Sequence, residues 1–273
     1  SRSISPLCSL SGTIVSAESL VLMDLLTSAP RGTCPAMPAT PAWPPKSAPR
    51  LFVEDELGEG RTFALDGNRA HYLGKVMRVS EGDTVILCDD VTGEWAARVG
   101  QVDKRRVDVT VVDRLREREA VPDLWLCPAL LKKDRFDLVL EKATELGVAA
   151  IRPVVTRRCV ADKLNPERAA TIVTEAAEQC ARTALPQVAG PVKLDALLAD
   201  WPAERALFFA DEEGGEDAAS AFARHGAPAA ILTGPEGGFD DAERAAIRAL
   251  PQATPITLGP RIMRGETATI AAI

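Results

Sequence analysis

The chain has 273 residues, 46% of them hydrophobic, and a formal net charge of −7. That length and apolar content suffice for two domains with a substantial core. No apolar run reaches membrane-spanning length, and the acidic total lacks the overall basic signature of a simple nucleic-acid binder.

Residues 1–49 contain eight of the twenty prolines, much serine and one aromatic residue, Trp43, a composition expected to stay disordered. Glu18 and Asp24 interrupt the apolar run Thr13 to Leu26, which makes it a poor signal-peptide core. From Arg50 to about Arg118 the pattern is β-rich. Leu51 to Val53, Arg61 to Leu65, Thr84 to Cys88, Glu94 to Val102 and Arg106 to Val112 alternate or run apolar between turns. Asn68 to Val79 predicts one helix with His71, Lys75 and Arg78 close to one face. A small barrel follows, and Glu119 to Asp123 is the expected linker.

Beyond it, strand and helix alternate: Leu124 to Ala129, Arg135 to Leu146, Ala150 to Val155, Pro166 to Thr183 and Ala206 to Ala210. Such alternation predicts a parallel α/β sheet. Gly147 fits a helix C-terminal cap. The last two strands are Ala229 to Leu232 and Pro255 to Leu258. The first breaks at Thr233-Gly234-Pro235-Glu236-Gly237-Gly238-Phe239 before a helix opening on Asp240 to Glu243. The second breaks at Gly259-Pro260 before a helix opening at Gly265-Glu266-Thr267. Open α/β sheets place ligands at the carboxyl ends of their strands, so two glycine/proline loops there predict a pocket lined by main chain.

Six cysteines show no C-x-x-C pair and only two histidines are present. The expected state is reduced thiols in a cytosolic protein, with no metal. Basic clusters occur at Lys104-Arg105-Arg106, Lys132-Lys133 with Arg135, and Arg157-Arg158. Each fits a solvated face, and together they also fit an RNA footprint in an acidic protein.

Ile231 to Phe239 and Leu258 to Ala268 together resemble the paired loops of the RsmE-type family of 16S rRNA uridine N(3)-methyltransferases, of the SPOUT (knotted) class. Three further stretches agree in order: Leu131 to Asp137 with Glu141 to Gly147, Arg157-Arg158-Cys159, and Glu175 to Arg182. The resemblance starts at Arg50, which makes residues 1–49 a disordered or nonnative extension. It implies an α/β fold: a PUA-like β-barrel RNA-binding domain over 50–119 and a SPOUT-type knotted parallel-sheet methyltransferase domain over 120–273.

The implied cofactor is S-adenosylmethionine, held by Leu232, Thr233, Gly234, Glu236, Gly237 and Gly238 with Leu258, Gly259, Ile262, Met263, Thr267 and Ala268. No G-x-G turn of the Rossmann kind follows Leu124 to Ala129. The implied partner is 16S rRNA or the assembled small subunit, contacted by His71, Arg78, Lys132, Arg157, Arg158 and Arg182. Arg264 is the candidate for holding the substrate and Glu266 for taking the N(3) proton, against the alternative that Glu266 satisfies helix N–H groups in its first turn.

Two departures stand out. Gly265 replaces a larger polar residue and is expected to loosen its loop. The chain stops at Ile273, where the family continues its last helix, which puts the implied homodimer in question. A noncatalytic RNA-binding protein, or a knotted enzyme with another base as target, are the competing readings.

Overall fold

The computed structural model describes residues 47–273. The expected tail lies outside the described residues except for its last three, and Pro49 already belongs to the fold, its carbonyl accepting a hydrogen bond from Ile86 N at 2.8 Å.

Strands β1 (Arg50–Phe52), β2 (Thr62–Asp66), β3 (Thr84–Cys88), β4 (Glu94–Val102) and β5 (Arg106–Arg116) form a five-stranded sheet in the order β1-β3-β4-β5-β2. β1 runs parallel to β3, and every other pair is antiparallel. Register shifts between β4 and β5 bend the long ribbon, as extra unpaired residues do, around a core that includes Leu73, Val85, Leu87, Ala97, Val107 and Val109.

The predicted helix is shorter than expected. Helix α1 (Gly67–His71) passes directly into a π turn (Tyr72–Val76). Arg78 lies past it with φ of 55°, so it does not extend the helical face of His71 and Lys75. All three side chains are exposed.

The remainder comprises β6 (Leu124–Pro128), α2 (Lys133–Glu145), β7 (Ala150–Ile151), β8 (Val154–Val155), α3 (Pro166–Cys180), β9 (Gln187–Val188), β10 (Val192–Lys193) and α4 (Leu194–Ala199). It continues through β11 (Ala206–Ala210), β12 (Glu216–Asp217), α5 (Ala218–Ala223), β13 (Ala229–Thr233), α6 (Asp241–Arg248), β14 (Ala253–Thr257) and α7 (Gly265–Ala272). Seven strands form a wholly parallel sheet ordered β12-β14-β11-β13-β6-β7-β9, and β8 pairs separately with β10.

The central strands read as unbroken apolar runs because a parallel sheet is covered on both faces; Leu207, Phe209, Ala230 and Leu232 are fully buried. The single strand expected over 150–155 is instead two, separated by Arg152 and Pro153, since proline has no N–H to continue a ladder. Gly147, at φ 88°, follows the end of α2, the cap its position predicted.

Arg182 corrects an expectation. Expected at the RNA surface, it is only 5% exposed, with Nη1 donating to Thr144 O at 2.8 Å and Nη2 to Val148 O at 2.7 Å. Its guanidinium satisfies carbonyls at the carboxyl end of α2, and burial pulls its pKa below the ordinary arginine value.

The first sheet meets α3 and the residue after it through side chains of a charged cluster within the sheet and through its backbone. Glu94, 5% exposed, accepts from Arg50 Nε and Arg116 Nε, each at 2.7 Å. Arg116 Nη2 also donates to Ala181 O at 2.7 Å, and Phe52 N donates to Glu178 Oε1 at 2.8 Å. The expected linker is tied down too, with Glu119 Oε1 accepting from Thr183 N and Ala184 N. Two buried thiols are pushed by burial to about 12, at Cys88 and Cys127, and so are held as unreactive neutral groups.

Two predictions follow from these contacts. Arg182→Ala leaves Val148 O without its donor and Thr144 O with only Gly147 N at 3.1 Å, and is expected to cost roughly 1–3 kcal/mol in urea unfolding, while leaving the salt dependence of RNA binding unchanged. Burial alone would raise the Glu94 carboxyl, but hydrogen bonds and charge from Arg116 and Arg50 outweigh it and hold the group below its ordinary value of 4.5. A depressed carboxylate contributes stability that is full above the unfolded value and lost as pH falls through the folded one. The stability difference between the unsubstituted chain and Glu94→Gln should therefore be constant above about pH 5 and shrink below pH 4.5. Glu178, which burial pushes up, titrates in both proteins and drops out of the difference.

Candidate active site

Because β14, β11 and β13 are adjacent and parallel, the loops leaving their carboxyl ends must converge. They enclose a cleft of about 190 Å³. The loop after β13 contributes Gly234, Glu236 and Gly238, the loop after β14 contributes Leu258, Gly259, Ile262 and Met263, and Ala268 of α7 closes one side. The loop after β11 adds Asp211 and Glu212, which sequence reasoning missed. The available signal was an acid run ending in Gly214-Gly215 at the end of an apolar strand.

Of the residues expected to hold the cofactor, three stand apart from the cleft wall. Leu232 is fully buried inside β13. Thr267 is exposed on α7. Gly237 faces the Arg158 side chain, whose Cβ lies 3.3 Å from where a Gly237 Cβ would stand. Thr233 lines the cleft, and its Oγ1 meets Thr269 Oγ1 at 2.8 Å, fastening the end of β13 to α7.

The loop after β13 is rigid for identifiable reasons. Gly238 N donates to Pro235 O at 2.9 Å, closing a turn in which Gly238 has φ of 65°. Phe239 is buried, stacks edge-on against Phe209 at 6.4 Å, and sits beneath Gly234. Asp240 and Glu243 then form a reciprocal capping box at the start of α6.

Arg157 and Arg158, expected at the RNA surface, serve this loop as well. Arg158 Nη1 donates to Gly237 O at 2.8 Å and Phe239 O at 3.3 Å. Arg157 N donates to Glu243 Oε1 at 2.7 Å, and its guanidinium pairs with Asp240 at 2.9 Å. The Arg157 side chain is still largely exposed.

The acids at the end of β11 are organised by α6. Asp211 is 0% exposed and takes Arg244 Nε at 3.0 Å and Arg248 Nη2 at 2.6 Å. Arg244 also reaches Glu212 and Glu213. These cations allow a buried carboxylate at the cleft.

The loop after β14 is less secured. Arg261 and Arg264 are exposed and Ile262 is fully so. Gly265 is buried, and a Cβ there would stand 2.9 Å from Leu131 Cδ2. Rather than loosening the loop, its small size lets α7 close on Leu131. Glu266 is mostly buried, with Oε1 3.9 Å from Arg135 Nε and Oε2 without a hydrogen-bond partner. Arg135 Nη1 donates to Glu236 Oε1 at 3.1 Å. Lys132 is exposed at the N-cap of α2.

Residues 117–273 match the family model of an RNA methyltransferase domain, and residues 65–112 match that of an RNA methyltransferase PUA domain. Ribosomal RNA small subunit methyltransferase E of Bacillus subtilis is 30% identical, the alignment covering 82% of this chain and 94% of that protein. The protein of that name from Rickettsia conorii is 28% identical, covering 82% and 93%. Among solved structures, a ribosomal RNA small subunit methyltransferase E from Neisseria gonorrhoeae bound to S-adenosylmethionine aligns with a TM-score of 0.74 at 29% identity, covering 82% of this chain and 94% of that one. A methyltransferase from Legionella pneumophila in complex with S-adenosylmethionine aligns with a TM-score of 0.73 at 29% identity, covering 82% and 95%.

At Gly238 a β-carbon would overlap the Glu212 carboxylate and hold an L-residue in left-handed backbone. Gly238→Ala is expected to cost at least about 1–2 kcal/mol in urea unfolding. Gly237→Ala, without positive φ, should cost less.

Proposed function

The chain belongs to the RsmE-type family of RNA methyltransferases, and from that membership we propose that it transfers a methyl group from S-adenosylmethionine to N(3) of a uridine in 16S rRNA of the small ribosomal subunit. The carrying observation is the cleft where the loops after β11, β13 and β14 converge, since it joins apolar walls to uncovered main chain at the ends of parallel strands.

The residues present fit the cofactor. Leu258, Ile262 and Met263 offer apolar surface for a purine, while Gly234 and Gly259 leave peptide groups accessible for hydrogen bonds. We assign the cofactor to Thr233, Gly234, Glu236, Gly238, Leu258, Gly259, Ile262, Met263 and Ala268, and leave Leu232, Gly237 and Thr267 as their support. When bound, S-adenosylmethionine supplies a methyl group on a positively charged sulfur.

What the chain must add is alignment, worth up to about 7–11 kcal/mol for well-held reactants, and a destination for the N(3) proton. We assign Arg264, exposed at the N-cap of α7, to hold the substrate, and Glu266, two residues on in the first turn, as the carboxylate for the proton. For RNA outside the cleft we assign His71 and Arg78 on the first domain and Lys132 and Arg157 on the second. Cations at such positions fix the register of a phosphate backbone rather than read bases.

The domain division proposed is 50–119 for RNA binding and 120–273 for methyl transfer. The protein is read as a cytoplasmic homodimer; among the described residues no helix is long and apolar enough to cross a membrane.

Labelled S-adenosylmethionine incubated with undermethylated small subunits should place label at N(3) of a uridine. Cofactor binding without transfer would instead favour a noncatalytic RNA-binding protein. Arg78→Ala is expected to weaken RNA binding and lower its log–log salt slope by roughly 0.7–0.9, the share of one phosphate contact, without altering cofactor affinity.

A further inference from the structure

We propose that Arg135 is a positioning residue of this site, turning the Glu266 carboxylate so that Oε2 accepts the proton of an imide N–H on the incoming base. The inference rests on the function proposed above and adds to it how the carboxylate is oriented.

Arg135 belongs to neither loop of the cleft. It projects from the first turn of α2 and reaches both, with Nη1 3.1 Å from Glu236 Oε1 and Nε 3.9 Å from Glu266 Oε1. One guanidinium therefore ties a carboxylate on the cleft wall to the carboxylate in the first turn of α7. Arginine suits this task because its planar fork offers several donors in fixed directions.

The two oxygens of Glu266 are unequal. Oε1 faces the Arg135 charge, whereas Oε2 is buried without a partner, in a side chain only 12% exposed. An acid that merely satisfied the helix N-terminus would accept from its free N–H groups, and Oε2 accepts from none. A buried acceptor left unpaired is costly, and a ligand that donates an N–H removes the cost. The imide N–H of a pyrimidine base is such a donor, and it is the proton that must leave. As the N–C bond forms, the proton passes to Oε2 and later to solvent, and the electron pair of the broken S–C bond stays on sulfur, which becomes a neutral thioether.

The test compares the unsubstituted chain with Arg135→Gln, Arg135→Lys, Glu266→Gln and the double variant Arg135→Gln/Glu266→Gln. Calorimetry measures S-adenosylmethionine affinity, and single turnovers at saturating cofactor measure transfer to undermethylated small subunits. Arg135→Gln should slow transfer at least about tenfold, part of the roughly 10²–10⁴ that a positioned base contributes, with little change in cofactor affinity. Arg135→Lys should restore most of the rate, since it returns the charge. The double variant should be no slower than Glu266→Gln, as expected when one residue acts through another.

Two results would overturn the proposal: weakened cofactor binding with a full rate at saturation, which would make Arg135 only a brace for Glu236, or losses that simply multiply in the double variant. Arg135→Lys retains the charge at this position and keeps the comparison decisive if Arg135→Gln unfolds. No transfer by the unsubstituted chain would overturn the proposed function, and this inference with it.

Discussion

The parallel order of β14, β11, β13 and β6 is the constraint on which the rest of this molecule depends. Parallel neighbours cannot be joined by tight turns, so each strand is followed by a crossover, and the ends of all of them emerge on the same edge of the sheet. Three consequences follow from that edge. The acid run after β11, the glycine turn after β13 and the exposed loop after β14 become neighbours despite lying far apart in sequence. Helices must cover both faces, which makes the strands apolar throughout. The segment after β6, with Leu131 against Gly265 and Arg135 between Glu236 and Glu266, is drawn to the same place.

Arginine carries much of the fastening. Arg158 holds the carbonyls of the glycine turn, Arg182 those at the end of α2, and Arg244 and Arg248 pair with the buried Asp211 side chain. Within the first sheet, Arg50 and Arg116 pair in the same way with Glu94. Arg182, Arg244, Asp211 and Glu94 are buried, so removing a partner of one of them leaves a desolvated group unpaired, whereas Arg158 and Arg248 fasten the loop and the acid from the surface. An acidic chain can thus carry many arginines without a strongly basic surface, which is why net charge was a poor guide to whether it meets RNA.

The longer sheet strands were legible because their signals are short and local, whereas β9, β10 and β12, of two residues each, were not expected. Alternation marked β2 to β5, and short apolar runs marked β6, β11 and β13. Helices α4 and α5 were missed, being six residues each and too short for a periodicity to emerge. The π turn before Arg78 was invisible for a related reason: a single wide turn does not disturb the apolar pattern that suggested a helix. In the site, the glycines and prolines announced the two loops, but sequence gives an arginine its charge and not its partner. Arg182 and Arg158 looked like RNA contacts and proved to face carbonyls. Asp211 and Glu212 went unnoticed because their pairing with α6 spans more than thirty residues.

The cleft has unequal walls, and under the proposed function the inequality bears on catalysis. One wall, the turn from Gly234 to Phe239, is held by Arg158, by the Phe239 ring against Phe209, and by the capping box of α6. The other, from Gly259 to Arg264, is held at its start by contacts between Thr257 and Gly259 and at its end by α7, with Ile262 wholly exposed between. Few buried contacts mean a low local cost of opening. A fixed wall supplies alignment without reorganisation at the moment of reaction. The looser one must be ordered by whatever binds against it, so part of the binding energy of cofactor and RNA is spent there before it can act on the reacting atoms. Arg264 and Glu266, the residues proposed to hold the substrate and take its proton, stand beside the cleft rather than in its lining, where that loop meets the first turn of α7, so on that proposal ordering the second wall completes the site against the first.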